Sequence, residues 1–388
     1  MIVAIPKEII AGETRVAIIP PTVSLLKKAG LEILIEKDAG KSAYYPDKDY
    51  IDAGATIEKD TQTLFAKADL ILKVRPLSKN KKLKKHETEL IGEGKILISL
   101  MDAYFYLDVV KKLAEHKITS FAMEFMPRVT RAQSMDVLSS MASISGYRAV
   151  VTAAAELHKY FPMLMTAAGT IPPARVFIIG AGVAGLMAIA TAKRLGAVVE
   201  AYDTRPVVKE QVESVGAKFV ELNLETKDAE GSGGYAKSQS DDFYQKQQEQ
   251  MAKHIQASDI VITTAAIPGK QSPLLVTDAM LQQMQPGSVI VDLAAERGGN
   301  VAGTAKDKKV VKHGVTIIGY IDHPARVSMH ASQLYAKNIS TFLLTMVKEG
   351  ALDLNQDDEL IASTMVTHQG NIVHEGIKSA IATTTQGE

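Results

Sequence analysis

No cysteine occurs among the 388 residues. That absence excludes a disulfide, a thiolate nucleophile and a cysteine-based metal site, and it is compatible with a reducing compartment such as the cytoplasm. The nine histidines show no H-E-x-x-H or paired-ligand spacing, so no metal site is expected. No G-x-S-x-G occurs either, and a hydrolase triad has no support. An excess of one charge is lacking as well: 44 lysines and arginines balance 44 aspartates and glutamates. This removes the broad electrostatic argument for binding nucleic acid or an anionic membrane surface. No apolar run approaches the roughly 18 to 20 residues that span a bilayer, and MIVAIPKEII lacks a basic segment followed by uninterrupted apolar residues. No direct membrane insertion is expected.

What the chain does have is length and an alternating pattern. At 388 residues with 46% apolar content it can bury two cores, and two domains are the expectation. Apolar strands at Met1–Pro6, Glu32–Glu36, Asp69–Val74, Lys95–Leu100 and Ile118–Glu124 alternate with helical patterns at Thr22–Ala29, Thr61–Ala68 and Leu107–His116. Repeated β-α units predict a parallel sheet covered on both faces. A second set of strands is expected at Val176–Gly180, Val198–Asp203, Lys218–Leu222, Asp259–Thr264, Ser288–Leu293 and Val315–Tyr320. Two long helical patterns, Met135–Tyr160 and Ser332–Lys348, are expected to cross between the domains. The reading is α/β: two doubly wound Rossmann-like domains with parallel sheets, joined by long connecting helices, with a cofactor cleft between them. Residues 1–135 plus 325–388 form the first, discontinuous domain and residues 136–324 the nucleotide domain.

The stretch RVFIIGAGVAG, Arg175 to Gly185, carries the most information. An apolar strand enters a glycine-rich turn that opens a helix from Val183 or Ala184. Gly180 permits the tight turn, Gly182 lets the backbone approach a pyrophosphate, and Gly185 lets helix and strand pack closely. The helix would aim its free N–H groups and positive dipole end at the phosphates. Asp203 ends the next strand about twenty residues on, the position that hydrogen-bonds an adenosine ribose diol. An acid there repels a 2′-phosphate and favours NAD(H) over NADP(H), although Arg205, beyond Thr204, can soften that choice. The alternative for Asp203 is a turn residue at a strand end.

Other polar segments are less decided. RVTRAQSMDVLSS, Arg128 to Ser140, has a bland reading in which Ser134 or Asp136 caps the following helix and the arginines are solvated. In the other reading, Gln133 and Ser139 hold a nicotinamide carboxamide while Arg128 and Asp136 form an orienting ion pair. In TTAAIPGKQSP, Thr264 and Ala265 follow a strand, and their backbone can touch ribose or nicotinamide or form an ordinary turn. Asp292, Glu296 and Asn300 follow the next strand on the ligand side, or simply cap. The segment Glu225–Gln250, with GSGGYAK inside it, reads as a long loop: a lid with Tyr235 as its useful side chain, or a neutral insertion.

Taken in order, RAQSMDVLSS, GAGVAG with Asp203-Thr204-Arg205, GGYAK, TTAAIPGK and VIVDLAAERGGN resemble the NAD(H)-binding component of proton-translocating nicotinamide nucleotide transhydrogenase, over nearly the whole chain. The resemblance implies that Arg128, Gln133, Asp136 and Ser139 surround the nicotinamide. It implies that Gly180, Gly182, Val183 and Gly185 take the pyrophosphate, that Asp203, Thr204 and Arg205 take the adenosine ribose, and that Gly234 and Tyr235 belong to a closing loop. Thr264 and Ala265 complete the implied set. NAD(H) would be a bound substrate, with NADP(H) on a separate component. Membrane-spanning subunits would move the protons, and this polypeptide would be a homodimer attached peripherally on the cytoplasmic side. The opening IPKEIIAGETRVAIIP is shared with the related alanine dehydrogenases, which are the competing reading. In that pattern a lysine and a histidine move protons; their places hold Arg75 and Asp102 here, a further acidic position holds Glu296, and Arg15 is retained.

Overall fold

The computed structural model describes residues 1–222, 224, 240–266 and 271–386. The chain divides into two compact units, Met1–Met141 with Ala325–Glu388, and Ala142–Pro324.

The first unit is organised around an eight-stranded sheet. From edge to edge its strands are Asn371–Ile372, Met365–His368, Thr119–Ala122, Ile96–Ser99, Leu70–Leu72, Ile2–Ile5, Glu32–Glu36 and Thr56–Glu58. The last six in that order pair in parallel. Their residues form apolar runs rather than an alternating pattern because both faces are covered: Leu70, Ile71 and Leu72 are all fully buried. One part of the core joins Ala4, Leu34, Phe65, Ile71, Leu97 and Leu113. The wholly parallel sheet expected from the β-α pattern is corrected at one edge, where Met365–His368 runs antiparallel to Thr119–Ala122 and Asn371–Ile372 folds back on it. The reversal takes two residues, Gln369 and Gly370, both with positive φ (46° and 84°), the requirement of a tight hairpin turn whose twist matches its strands.

The second unit holds a seven-stranded sheet in the order Lys218–Phe219, Val198–Tyr202, Arg175–Ile179, Ile260–Thr263, Val289–Asp292, Val315–Ile318, Lys309–Lys312. The six strands expected from the sequence occur in the doubly wound order 3-2-1-4-5-6, with a switch point between Arg175–Ile179 and Ile260–Thr263. Lys309–Lys312 adds an antiparallel edge. Its alternating burial, with Lys309 and Val311 exposed, gave no continuous apolar signal.

The long helices differ from expectation in one respect. Val137–Glu156 contains the junction between the units, whereas Ser328–Met346 lies wholly within the first. That second helix is a core element rather than a connector: Tyr335, Ile339, Phe342, Leu343 and Met346 are fully buried, and the Tyr335 hydroxyl donates to the Lys73 carbonyl at 2.7 Å. The expected loop Glu225–Gln250 is corrected at its C-terminal end, where residues 241–250 begin the helix Asp241–Gln256. Ser240 caps it by accepting from the Phe243 N–H at 3.3 Å. Unbranched glutamine and lysine side chains favour helix, and Gln247, Met251 and Ile255 supply its buried side. Residues 225–239 lie outside the described residues, and so do Gly234, Tyr235 and the implied closing loop.

Candidate functional site

The Arg175–Ile179 strand is buried from Val176 to Ile179 and delivers the chain to Gly180, whose φ is +97°. A side chain there would be doubly penalised: besides the left-handed backbone, a Cβ would lie 2.4 Å from Thr264 Oγ1. At Gly185 a Cβ would lie 1.9 Å from the Gly180 carbonyl oxygen, so the turn and the helix Val183–Arg194 touch backbone to backbone. Gly182 differs. A Cβ there would meet nothing nearer than Arg205 Nη2 at 3.9 Å, which leaves open space over the turn. Gly182 is the N-cap of the twelve-residue helix and no side chain caps it. The first N–H groups of that helix, at Val183, Ala184 and Gly185, therefore lack both an intrahelical and a side-chain partner. An open approach, uncapped donors and the positive dipole end fit a pyrophosphate.

Asp203 follows the neighbouring strand Val198–Tyr202 and is buried. Its carboxylate closes the turn from below. Oδ2 accepts from the Ala181 N–H at 2.7 Å and from Arg205 Nη2 at 2.8 Å, and Oδ1 accepts from the Arg205 backbone N–H and Nε, both at 2.9 Å. A carboxylate offers about four acceptor positions, and all four are filled. Two of them are held by side-chain N–H groups of Arg205, so the expected ribose acceptor is here engaged with its own neighbour. Thr204 lies between these two residues and is half-buried.

Thr264 and Ala265 sit beyond the Ile260–Thr263 strand, beside the glycine turn. The Thr264 hydroxyl donates to the Gly180 carbonyl at 3.1 Å. Ala265 is held through both backbone groups by Asn300, which accepts from its N–H at 3.2 Å and donates to its carbonyl at 2.9 Å. Asn300 is in turn fixed by Asp292, whose Oδ2 accepts from the Asn300 N–H at 2.8 Å and from Thr304 at 2.7 Å. Thr263 and the Ala294 N–H donate to Asp292 Oδ1, each at 3.0 Å. Burial raises the Asp292 carboxyl above its usual range even though those hydrogen bonds oppose the shift. Asp292 and Asn300 thus form a buried brace for the backbone of the Thr264 loop. Residues 267–270 of that loop lie outside the described residues.

In the first unit, the Arg128–Ser140 segment places a 3-10 helix, Thr130–Met135, before the helix Val137–Glu156. Ala132 and Met135 are buried, and Arg128, Arg131, Gln133 and Ser134 are exposed. Asp136 has the capping geometry: Oδ1 accepts from the Ser139 N–H at 2.8 Å and Oδ2 from the Ser139 hydroxyl at 2.6 Å. Arg131 is paired with Asp358 rather than solvated, and the Ser134 carbonyl accepts from Asn338 at 2.8 Å. The segment therefore has a braced backbone that leaves Gln133 outward.

Sequence reading missed a buried ionic cluster in the same unit. Lys73, fully buried, lies 3.0 Å from Glu87 and 3.3 Å from Glu8. Burial alone would discharge the ammonium, and the two carboxylates reverse that and raise its pKa. Glu8 also accepts from the Val74 N–H at 2.6 Å, and burial leaves its carboxyl above the usual range. Arg15 is clamped by Glu13 through Nε at 2.7 Å and Nη2 at 2.6 Å. Burial acts against the Glu13 charge, but the Arg15 guanidinium outweighs it and lowers the carboxyl. Glu124 binds the Met101 and Ala103 N–H groups at 3.0 and 3.1 Å, and burial pushes its carboxyl up to about 7. The cluster residues come from separate stretches of chain, and no local motif announces them.

A glycine turn at the switch point of a doubly wound sheet, with an acid ending the next strand, defines an NAD-binding oxidoreductase of the Rossmann class. Residues 4–145 match the family model for the alanine dehydrogenase/PNT N-terminal domain, and residues 149–375 match that for the alanine dehydrogenase/PNT C-terminal domain. The chain belongs to the alanine dehydrogenase/PNT family and, within it, to the NAD(P) transhydrogenase alpha subunits. It is 48% identical to the first of the separately encoded parts of the NAD(P) transhydrogenase alpha subunit of Rhodospirillum rubrum over 381 residues, covering 97% of this chain and 99% of the relative. The crystal structure of transhydrogenase from Sinorhizobium meliloti superposes with a TM-score of 0.83 at 45% identity, covering 97% of this chain and 100% of that one. The alanine dehydrogenase of Methanococcus maripaludis is a more distant relative, 28% identical over 390 residues, 98% of this chain and 96% of that one.

Proposed function

We propose that this chain is the NAD(H)-binding catalytic component of a proton-translocating transhydrogenase, passing hydride directly from C4 of NADH to C4 of NADP+ held on a separate component. The observation that carries this reading is the 48% identity to a transhydrogenase alpha-subunit polypeptide along almost the full length of both proteins. NADH supplies the hydride. The chain's own groups bind and orient: the N–H groups following Gly182 hold the pyrophosphate, and Asp203 holds the adenosine ribose. Ribose binding in this reading exchanges the two Arg205 side-chain donors on Asp203 for the two ribose hydroxyls, so the four acceptor positions stay filled. Arg128, Gln133, Asp136 and Ser139 surround the nicotinamide, with Gln133 steering the ring and the Asp136–Ser139 cap fixing the backbone beneath it. Gly234 and Tyr235 belong to the closing loop, and Thr264 and Ala265 present backbone to the ribose or nicotinamide. Hydride passage between two nicotinamides needs no proton donor, and catalysis comes from positioning.

Membrane-spanning partner subunits translocate the protons in this proposal, and the chain is a homodimer attached peripherally at the cytoplasmic face. Among the described residues, no helix is long and apolar enough to cross a membrane. An alanine dehydrogenase activity is disfavoured, because oxidising an amino acid moves protons as well as hydride. The arginine at position 75 is too basic to cycle a proton. The test is reduction of an NADP+ analogue by NADH, with this protein alone and then with the NADP(H)-binding component of a transhydrogenase. Activity only in the mixture supports the proposal. NADH binding without activity in either case, and turnover of pyruvate plus ammonium, would replace it with the alanine dehydrogenase reading.

A further inference from the structure

The helix Val137–Glu156 carries a glycine, Gly146, ten residues into its length. Glycine in a helix interior is unfavourable relative to alanine, so its presence there asks for a local cause. The cause is a backbone contact. A Cβ at Gly146 would lie 2.0 Å from the carbonyl oxygen of Ala184, 2.9 Å from its carbonyl carbon and 3.1 Å from its Cα. No side-chain rotation relieves such an overlap, because every atom met is backbone. Further along the same pair of helices, Ala149 and Ala153 join Ala188 and Ile189 in one buried cluster, so the helices are held together beyond the contact as well.

Ala184 is the second residue of the helix Val183–Arg194. Its carbonyl and the N–H of Gly185 belong to one peptide plane, and that N–H is among the uncapped donors at the helix start. Gly185 itself meets the Gly180 carbonyl on another side, where a Cβ would stand 1.9 Å away. Two glycines thus fix the first turn: Gly185, which belongs to the G-x-G-x-x-G pattern, and Gly146, which stands far upstream of it in sequence. We propose that Gly146 is a positioning residue of the pyrophosphate site, holding the Ala184–Gly185 peptide where its N–H can serve a phosphate. The proposal rests on the reading of the Gly180 turn as the dinucleotide site.

Calorimetric titration of wild type, Gly146→Ala and Ala149→Gly with NADH, ADP-ribose and adenosine tests it. Gly146→Ala should raise the dissociation constants of NADH and ADP-ribose roughly tenfold or more, while that of adenosine, which has no phosphate, stays within about twofold. Ala149→Gly should lower the melting temperature and leave NADH affinity unchanged, separating lost stability from a misplaced donor. Equal weakening of adenosine and ADP-ribose, or unchanged ADP-ribose affinity in Gly146→Ala, overturns the proposal. Failure of the wild-type protein to bind NADH overturns the site reading instead. If Gly146→Ala does not fold, amide exchange on the wild-type chain decides. ADP-ribose should slow exchange around Gly146, and unchanged exchange there contradicts the coupling.

Discussion

The Gly180–Gly185 turn is made of backbone, whereas the Arg128–Ser140 segment presents side chains. In the turn, a single added carbon meets backbone or a packed side chain at 2.4 Å from Gly180 and 1.9 Å from Gly185. Its chemistry and its fold are therefore one property. In the segment, Ala132 and Met135 are buried and Asp136 caps the next helix, while Gln133 and Arg128 point outward from a backbone that is already braced. There chemistry and fold are separable. A protein that only holds two nicotinamides in position can divide the labour this way, with a rigid anion cradle at one end of the cofactor and replaceable polar groups at the other.

Substitutions can break or sharpen that contrast. The largest effect is expected at Gly185→Val, which drives a branched side chain into the Gly180 carbonyl 1.9 Å away; NADH binding should vanish in a fluorescence titration, and a dissociation constant near the wild-type value would end the contrast. Gln133→Asn should slow single-turnover hydride transfer by about a hundredfold through misplacement of the ring, with NADH affinity nearly unchanged. The reverse outcome, normal chemistry with a large loss of affinity, would remove its steering role. Asp203→Ala should weaken NADH roughly tenfold and narrow the preference over NADPH, because Arg205 loses the carboxylate that holds it and can meet a 2′-phosphate. Unchanged NADH affinity would refute the ribose contact. The smallest effect is expected at Asp136→Ala, where losing the bond to the Ser139 N–H should cost about 1 kcal/mol of stability in chemical denaturation. A loss several times larger would make that residue part of the fold rather than a cap.

The glycine turn is readable from sequence because its steric requirements are local: three glycines, an apolar strand before them and an acid after the next strand. The strands of both sheets are readable for a similar reason, since parallel strands covered on both faces leave continuous apolar runs. The antiparallel edge at Met365–His368 is not, because its reversal depends on positive φ at Gln369, a residue with no turn signature. Nor is the helix Asp241–Gln256, whose glutamine-rich start hides a buried side formed by Gln247, Met251 and Ile255. The Lys73 cluster and the Gly146–Ala184 contact are out of reach because each joins residues distant in sequence, and only the tertiary structure brings them together. From sequence, Arg205 is a modifier of cofactor choice; the structure adds that its guanidinium already fills two acceptor positions on Asp203.

Isotope tracing tests the central claim most directly. NADH carrying deuterium at C4 on the transferred face, mixed in ordinary water with this protein, the NADP(H)-binding component and an NADP+ analogue, should deliver the label quantitatively to C4 of the reduced product. Loss of the label to solvent would contradict direct passage between two nicotinamides held by positioning alone.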